Sequence, residues 1–366
     1  MKTLILSCNT GQGHNAAGMA VYEELMRRGH ACEFMDMISL SSENISKNIS
    51  NLYVSITTKA PKVFQALYNA GGIISNSKHK SVIYLANSIM KDKVYEYIEK
   101  NNIDIIVMPH LFPAEVITKL KHENRLNAKT LAIATDYTCI PFWEETEPDY
   151  FVIPHKDLID EFVEKGIPKE KLLPIGIPVS QEFSTRILKS DACAKLNLDN
   201  NKKNILIMSG SMGYGHIDKL IDALLSRLSD KINIIVLGGT NETLKTKLRQ
   251  RFNNKNVYII DFTKQVSLYM DACDILLTKP GGLTSTESAV KNIPTIFTNP
   301  IPGCETKNAY FFEQRNMAYY ANNIESQVDY AEKLLTDESY KDMIYSQNQN
   351  INKNAAKDIC DFIESW

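Results

Sequence analysis

At 366 residues the chain exceeds one ordinary domain and predicts two. Its formal net charge of -2 carries no basic excess of the kind that selects nucleic acid. No apolar run approaches the roughly 18 residues of a membrane-spanning helix, and the scattered Cys8, Cys32, Cys139, Cys193, Cys273, Cys304 and Cys360 hold no C-x-x-C pair. That cysteine pattern argues against a zinc site or a disulfide framework and fits a reduced cytosol.

The chain opens on a short apolar run at 4–8, too short for the h-region of a signal peptide and read as a first strand. Asn9-Thr10-Gly11-Gln12-Gly13-His14 makes a glycine turn, and a helix is predicted to run to about residue 28, where Gly29 stops it. A second strand follows at 31–37. This β–glycine loop–α–β start belongs to a doubly wound parallel sheet.

From 41 to 100 the pattern loosens. Apolar residues at helical spacing recur around 61–68 and 81–97, separated by the soft loop 71–76. Across 55–95, Lys59, Lys62, Lys78, Lys80, Lys91 and Lys93 meet only Asp92 in acid. A cationic, aromatic-containing segment in a near-neutral chain suits an anionic bilayer surface, and equally an ordinary solvated helical insertion.

Strands return at 103–108, 130–134 and 150–153. The first ends in Pro109-His110 and the second in Thr135-Asp136. Ligands of an open parallel sheet sit at the carboxyl ends of its strands, so His14, His110 and Asp136 are expected to converge. After a strand at 173–175, Gly176-Ile177-Pro178-Val179 forms a stiff turn, read as the interdomain linker. A second βα series begins with a strand at 205–208 running into Ser209-Gly210-Ser211-Met212-Gly213-Tyr214-Gly215. Further strands are predicted at 232–237, 257–260, 274–277 and 295–297. Helices occupy the remainder, the last at about 350–365 and free to return to the first domain. The expected fold is α/β, with two Rossmann-like doubly wound domains facing across a cleft: 1–178 with 350–366, and 179–349.

Several of these turns carry chemistry. Strand, Pro280-Gly281-Gly282 and the helix from about Leu283 together make an anion site, because glycines expose backbone N–H groups and the helix dipole favours negative charge. The backbone at Ser209, Gly210, Ser211 and Gly213 offers a second diphosphate cradle. Glu287 lies early in the helix after the Gly281-Gly282 loop, where a carboxylate repels phosphate but accepts two hydrogen bonds from a ribose diol. Phe262 and Thr263, at a neighbouring strand end, suit a pyrimidine. Glu305 and Asn308 open another helix and are placed to meet sugar hydroxyls. A site of this kind neutralises a leaving diphosphate without a metal, so neither metal nor cofactor is expected. On the acceptor side, His14 or Asp136 is the candidate general base. Gly11-Gln12-Gly13-His14-Asn15-Ala16 also fits G-x-G-x-x-A, and with Asp36 it nearly spells a dinucleotide fingerprint, although His14 has no place in that motif.

Taken together these residues resemble the monogalactosyldiacylglycerol synthase and processive diacylglycerol glucosyltransferase group of glycosyltransferase family 28. The N-terminal motif stands as Gly11-Gln12-Gly13-His14, the Thr-Asp pair as Thr135-Asp136 with Pro141-Phe142-Trp143 after it, and the linker as Gly176-Ile177-Pro178. The donor signature stands as Ala272-Cys273-Asp274, Thr278-Lys279-Pro280-Gly281 and Glu287, and the last loop as Pro302-Gly303-Cys304-Glu305-Thr306-Lys307-Asn308. The resemblance implies a GT-B fold and an inverting, metal-independent transfer of glucose or galactose from a UDP-hexose to diacylglycerol. It implies a C-terminal domain that binds the donor, Lys279 included, and an N-terminal domain that binds the acceptor, with Gly11, Gly13, His110 and Trp143 as candidate contacts. A cytoplasmic enzyme resting on the inner face of the membrane, drawn by anionic lipids, is the corresponding expectation. The alternatives are a UDP-N-acetylglucosamine 2-epimerase-like isomerase, a transferase acting on a polyprenyl-linked peptidoglycan precursor, and a non-enzymatic UDP-sugar sensor.

Overall fold

The computed structural model describes residues 1–9, 12–40, 84, 90–208, 216–253 and 256–366. Gly11, the loop holding Ser209, Gly210, Ser211 and Gly213, and most of the cationic segment 55–95 lie outside the described residues. The chain forms two compact units. The first comprises Met1–Gln181, Pro302–Cys304 and Asn352–Trp366; the second comprises Glu182–Ile301 and Glu305–Ile351.

The first unit holds a sheet of β1 (Lys2–Ser7), β2 (Ala31–Asp36), β3 (Ile105–Met108), β4 (Lys129–Ile133), β5 (Tyr150–Val152) and β6 (Leu172–Leu173). All neighbours pair in parallel, in the order β2-β1-β3-β4-β5-β6. The central strands are continuous apolar runs because helices cover both faces; Ile105, Ile106, Val107 and Met108 are all buried. The covering helices are α1 (Gln12–Arg27), α2 (Lys91–Asn101), α3 (Leu111–His122) and α4 (Ile159–Glu164). Helix α1 turns Ala17, Val21 and Leu25 to the sheet at a spacing of one turn and ends at Gly29, whose φ of 84° closes the last turn. It packs so closely that a Cβ on Gly18 would lie 2.9 Å from the Pro109 ring and 3.0 Å from Ile5. The order reverses between β1 and β3, so the loops after those two strands flank the switch point.

The second unit repeats the plan with β7 (Lys203–Met208), β8 (Ile232–Leu237), β9 (Val257–Ile260), β10 (Ile275–Thr278), β11 (Thr295–Thr298) and β12 (Tyr319–Ala321). Their order, β12-β11-β10-β7-β8-β9, is all parallel and is that of a dinucleotide-binding Rossmann sheet. Strand β12 is not evident in the sequence, since Tyr319-Tyr320-Ala321 is short and half-polar. The helices are α5 (Lys189–Leu196), α6 (Ile217–Leu228), α7 (Glu242–Arg251), α8 (Val266–Ala272), α9 (Gly282–Val290), α10 (Cys304–Glu313), α11 (Ile324–Thr336) and α12 (Ser339–Asn350). Here the switch point falls between β7 and β10, the strands that lead into residues 209–215 and into the Gly281-Gly282 loop.

The last helix, expected at about 350–365, is α13 (Ala355–Glu364), which starts a few residues later and is separate from α12, ending at Asn350. Helix α13 adds Ile359, Cys360 and Ile363 to the apolar core built by Ile5, Val21, Leu25 and Val107 of the first unit. Among the described residues no helix is long and apolar enough to cross a membrane.

Candidate functional site

In the first unit three adjacent strands deliver side chains to one imidazole. His14 lies in the first turn of α1, after β1; Pro109 and His110 follow β3; Thr135 and Asp136 follow β4. The Nδ1 of His14 is 3.1 Å from the Pro109 carbonyl and 2.7 Å from the Thr135 hydroxyl. A carbonyl only accepts, so Nδ1 carries the proton and Nε2 presents a lone pair. His110 meets His14 edge to face with ring centroids 4.6 Å apart. Its own Nδ1 accepts the Phe112 N–H at 3.1 Å, which puts its proton on Nε2 and caps the start of α3. Burial lowers the pKa of His14, while the charge of Asp136 and the bond to Pro109 act in the opposite sense. Burial holds His110 well below the usual imidazole value, with His14 adding to the effect. A neutral imidazole with a free Nε2, beside a carboxylate that favours its protonated form, is equipped to take a proton.

The fingerprint residue Asp36 is committed elsewhere. Its Oδ1 accepts from the backbone N–H of Asn9 at 3.4 Å and of Ile38 at 3.2 Å, tying the turn after β1 to the end of β2. Gly13 is half-buried in the first turn of α1. Trp143 corrects an expectation. Only 3% exposed, its indole meets Phe151 edge to face at 5.9 Å, so it fills the core rather than facing an acceptor.

In the second unit β10 runs into Lys279-Pro280-Gly281, and Gly282 opens α9 with no acid in its first turn. The first-turn N–H groups of such a helix have no intrahelical partners and attract an anion. The loop is braced from α10. Glu305 Oε1 takes the Lys279 ammonium at 2.6 Å, and Glu305 Oε2 accepts the Ile301 N–H at 2.8 Å. Asn308, with no exposed surface, donates from Nδ2 to the Pro280 carbonyl at 3.0 Å. This corrects the sugar-contact expectation for Asn308: its enclosed amide shapes the loop. Both oxygens of Glu305 likewise serve as braces.

Glu287 is 9% exposed in the second turn of α9, and burial, with the charge of Glu182 second, pushes its carboxyl up to about 8. Phe262, at the end of β9, is 65% exposed, unusual for a large apolar ring and suited to stacking on a planar base. The Thr263 hydroxyl accepts the Gln265 N–H at 3.0 Å, shaping the turn into α8.

Comparison with known proteins bears on both units. The family model described as Monogalactosyldiacylglycerol (MGDG) synthase matches residues 14–179, and that described as Glycosyl transferases group 1 matches residues 193–358. A processive diacylglycerol beta-glucosyltransferase of Staphylococcus saprophyticus is 28% identical over 334 residues, 90% of this chain and 83% of that one. The protein of the same name from Bacillus pumilus is 28% identical over 353 residues, 96% and 90% of the two chains. Over both units the chain is thus similar to diacylglycerol glycosyltransferases. The crystal structure of Acinetobacter baumannii MurG is similar in fold, with a TM-score of 0.64 at 13% identity, covering 100% of both chains. The two parallel sheets are accordingly those of a two-domain GT-B fold.

The predicted residues of this diacylglycerol glycosyltransferase relative thus fall into two groups. His14, His110 and Asp136 come together at the first switch point; Lys279, Gly281, Gly282, Glu287, Glu305 and Asn308 gather around the β10–α9 loop. Sequence reasoning missed what Pro109 and Thr135 do, because a carbonyl has no sequence signature and Thr135 lies 121 residues from His14.

Proposed function

We propose that this chain transfers a hexosyl group, glucose being the first expectation, from a UDP-hexose to diacylglycerol with inversion, forming a membrane β-glycolipid. The observation that carries the reading is a held imidazole with a free Nε2 at the switch point of a unit matching the diacylglycerol glycosyltransferase family. The acceptor hydroxyl gives its proton to His14 Nε2 as its oxygen bonds the anomeric carbon. The bond from that carbon to the UDP oxygen breaks on the opposite face, and Asp136 stabilises the imidazolium that forms. Charge developing on the diphosphate is met by first-turn N–H groups of α9 and the glycines of 209–215, without a metal, while Lys279, paired with Glu305, holds the loop beside them. Phe262 is assigned to the uracil and Glu287 to the ribose.

Lysines within 55–95 support attraction to anionic lipids, as does the diacylglycerol acceptor, which resides in a bilayer. Lys91 contributes less than its charge suggests, because it is paired with Glu123.

The test is product analysis with diacylglycerol vesicles and UDP-glucose or UDP-galactose in parallel, for the parent and His14→Ala. A hexosyl diacylglycerol is expected from the parent, with a loss of roughly a hundredfold or more in the variant, the usual scale of general base catalysis. Absence of glycolipid, together with lipid-independent conversion of UDP-N-acetylglucosamine, would instead establish the epimerase.

A further inference from the structure

Proton transfer to an imidazole depends on which nitrogen is free, and His14 is held in one arrangement from two directions. The Pro109 carbonyl, 3.1 Å from Nδ1, comes from the end of β3, and the Thr135 hydroxyl, 2.7 Å from the same atom, from the end of β4. Both strands are core elements, and Thr135 is itself only 6% exposed. His110, edge-on to His14, has its proton on Nε2 and its Nδ1 engaged by Phe112, so it competes for neither role. The charge facing His14 comes from Asp136.

We propose that Thr135 is a positioning residue for the transfer: the Pro109 carbonyl fixes His14 as the Nδ1–H tautomer, and the Thr135 oxygen, accepting from the same N–H, orients the ring so that Nε2 is aimed at the acceptor hydroxyl. The assignment rests on reading His14 as the base. When Nε2 takes the proton, the ring becomes an imidazolium with N–H groups on both nitrogens. The bonds from Nδ1–H to the carbonyl and to the Thr135 oxygen then become charge-assisted and strengthen. An interaction stronger in the transition state than in the ground state raises kcat and leaves KM alone. Thr135 therefore acts through His14 without touching substrate, and its neighbour Asp136 supplies charge while Thr135 supplies direction.

The test compares Thr135→Val, which keeps the shape and removes the hydroxyl, with Thr135→Ser, which keeps the hydroxyl. In Thr135→Val, kcat is expected to fall roughly ten- to hundredfold, the range for one hydrogen bond to a charged group, with both KM values little changed. The acid limb of the pH–rate profile should move to lower pH, because the imidazolium has lost a partner. Thr135→Ser should restore most of the rate and the parental limb. Histidine-selective 15N spectra, with His14 assigned from His14→Gln, should show a protonated Nδ1 and an unprotonated Nε2 in the parent near neutral pH. A parental rate and pH profile in Thr135→Val, no rescue by serine, or a parental His14 protonated at Nε2 would each overturn the proposal. The spectra need no turnover, so they judge the tautomer on which Thr135 acts even if the acceptor is not diacylglycerol. An unimpaired His14→Ala would instead remove the base assignment beneath it.

Discussion

Glu287 is a carboxyl enclosed in the second turn of α9 and pushed up to about 8, so at neutral pH it is mostly protonated. A ribose diol offers two O–H donors, which a carboxylate accepts better than a carboxylic acid. Donor binding through this group therefore releases a proton, and donor KM should fall as pH rises towards about 8 and then level. Glu287→Gln should lose that dependence, and Glu287→Ala should raise donor KM roughly tenfold with little change in kcat, as two modest hydrogen bonds predict. A donor KM flat with pH and unmoved by alanine would remove the ribose role. The same shift acts on stability. The folded state keeps a proton that the unfolded chain loses near its ordinary 4.5, so this contribution declines as pH rises from there to about 8. His14 and His110 act on the acid side: neutral in the fold and protonated when unfolded, they lose stability as pH drops below 6.5.

Two glycines separate what an element needs in order to fold from what it needs in order to bind. A Cβ on Gly18 would meet a Pro109 ring carbon at 2.9 Å, where α1 crosses the sheet, whereas one on Gly281 would lie 3.8 Å from Glu305 at a φ of -68°, which any residue adopts. Overpacking at Gly18 costs about 1–3 kcal/mol, only partly offset by the roughly 1 kcal/mol of helix propensity that alanine gains over glycine. Gly18→Ala should therefore melt lower and, by displacing the residue whose carbonyl holds His14, turn over more slowly. On the proposed reading of this loop as a diphosphate cradle, Gly281→Ala should melt like the parent yet bind donor more weakly, because a methyl crowds the approach to the loop's N–H groups. Equal donor KM values for Gly281→Ala and the parent would show that the loop does not bind phosphate. The elements themselves were largely legible: apolar runs ending in Gly11-Gln12-Gly13 or Gly281-Gly282 announce parallel strands feeding helices, and their carboxyl ends announce the site. What each polar side chain does there was less legible. Trp143 and Asn308 carry family motifs, but burial, which no local pattern reveals, turns one into core and the other into a brace. The hydroxyl on His14 depends on β4 lying beside β3, a property of sheet order that spacing along the chain does not carry.

At the scale of the whole molecule the chain does not end where its second sheet is complete. After α12, the chain returns through Asn352, whose amide donates to the Ile175 carbonyl at 2.9 Å, and α13 lies against α1. Two kinds of force hold α13 there. Arg28 pairs with Asp361 at 2.7 Å and with Glu364 at 2.8 Å, and His30 Nε2 lies 2.7 Å from Glu364. Beneath them Ile359, Cys360 and Ile363 are fully buried in the core that also contains β1 and β3. Exposed ion pairs are worth about 0–1 kcal/mol each, whereas emptying a buried isoleucine costs about 2–5 kcal/mol. Apolar packing should therefore dominate: Ile359→Ala is expected to lose about 2–5 kcal/mol in urea unfolding, and Glu364→Gln less than about 1. The loss in Ile359→Ala should persist in high salt, while the smaller loss in Glu364→Gln should fade as ions screen it. Because β1 and β3 also present His14 and Pro109, Ile359→Ala should narrow the temperature range of activity without altering donor KM. The reverse order of the two losses would mean that charge, and not the buried face, fastens α13 to the first unit.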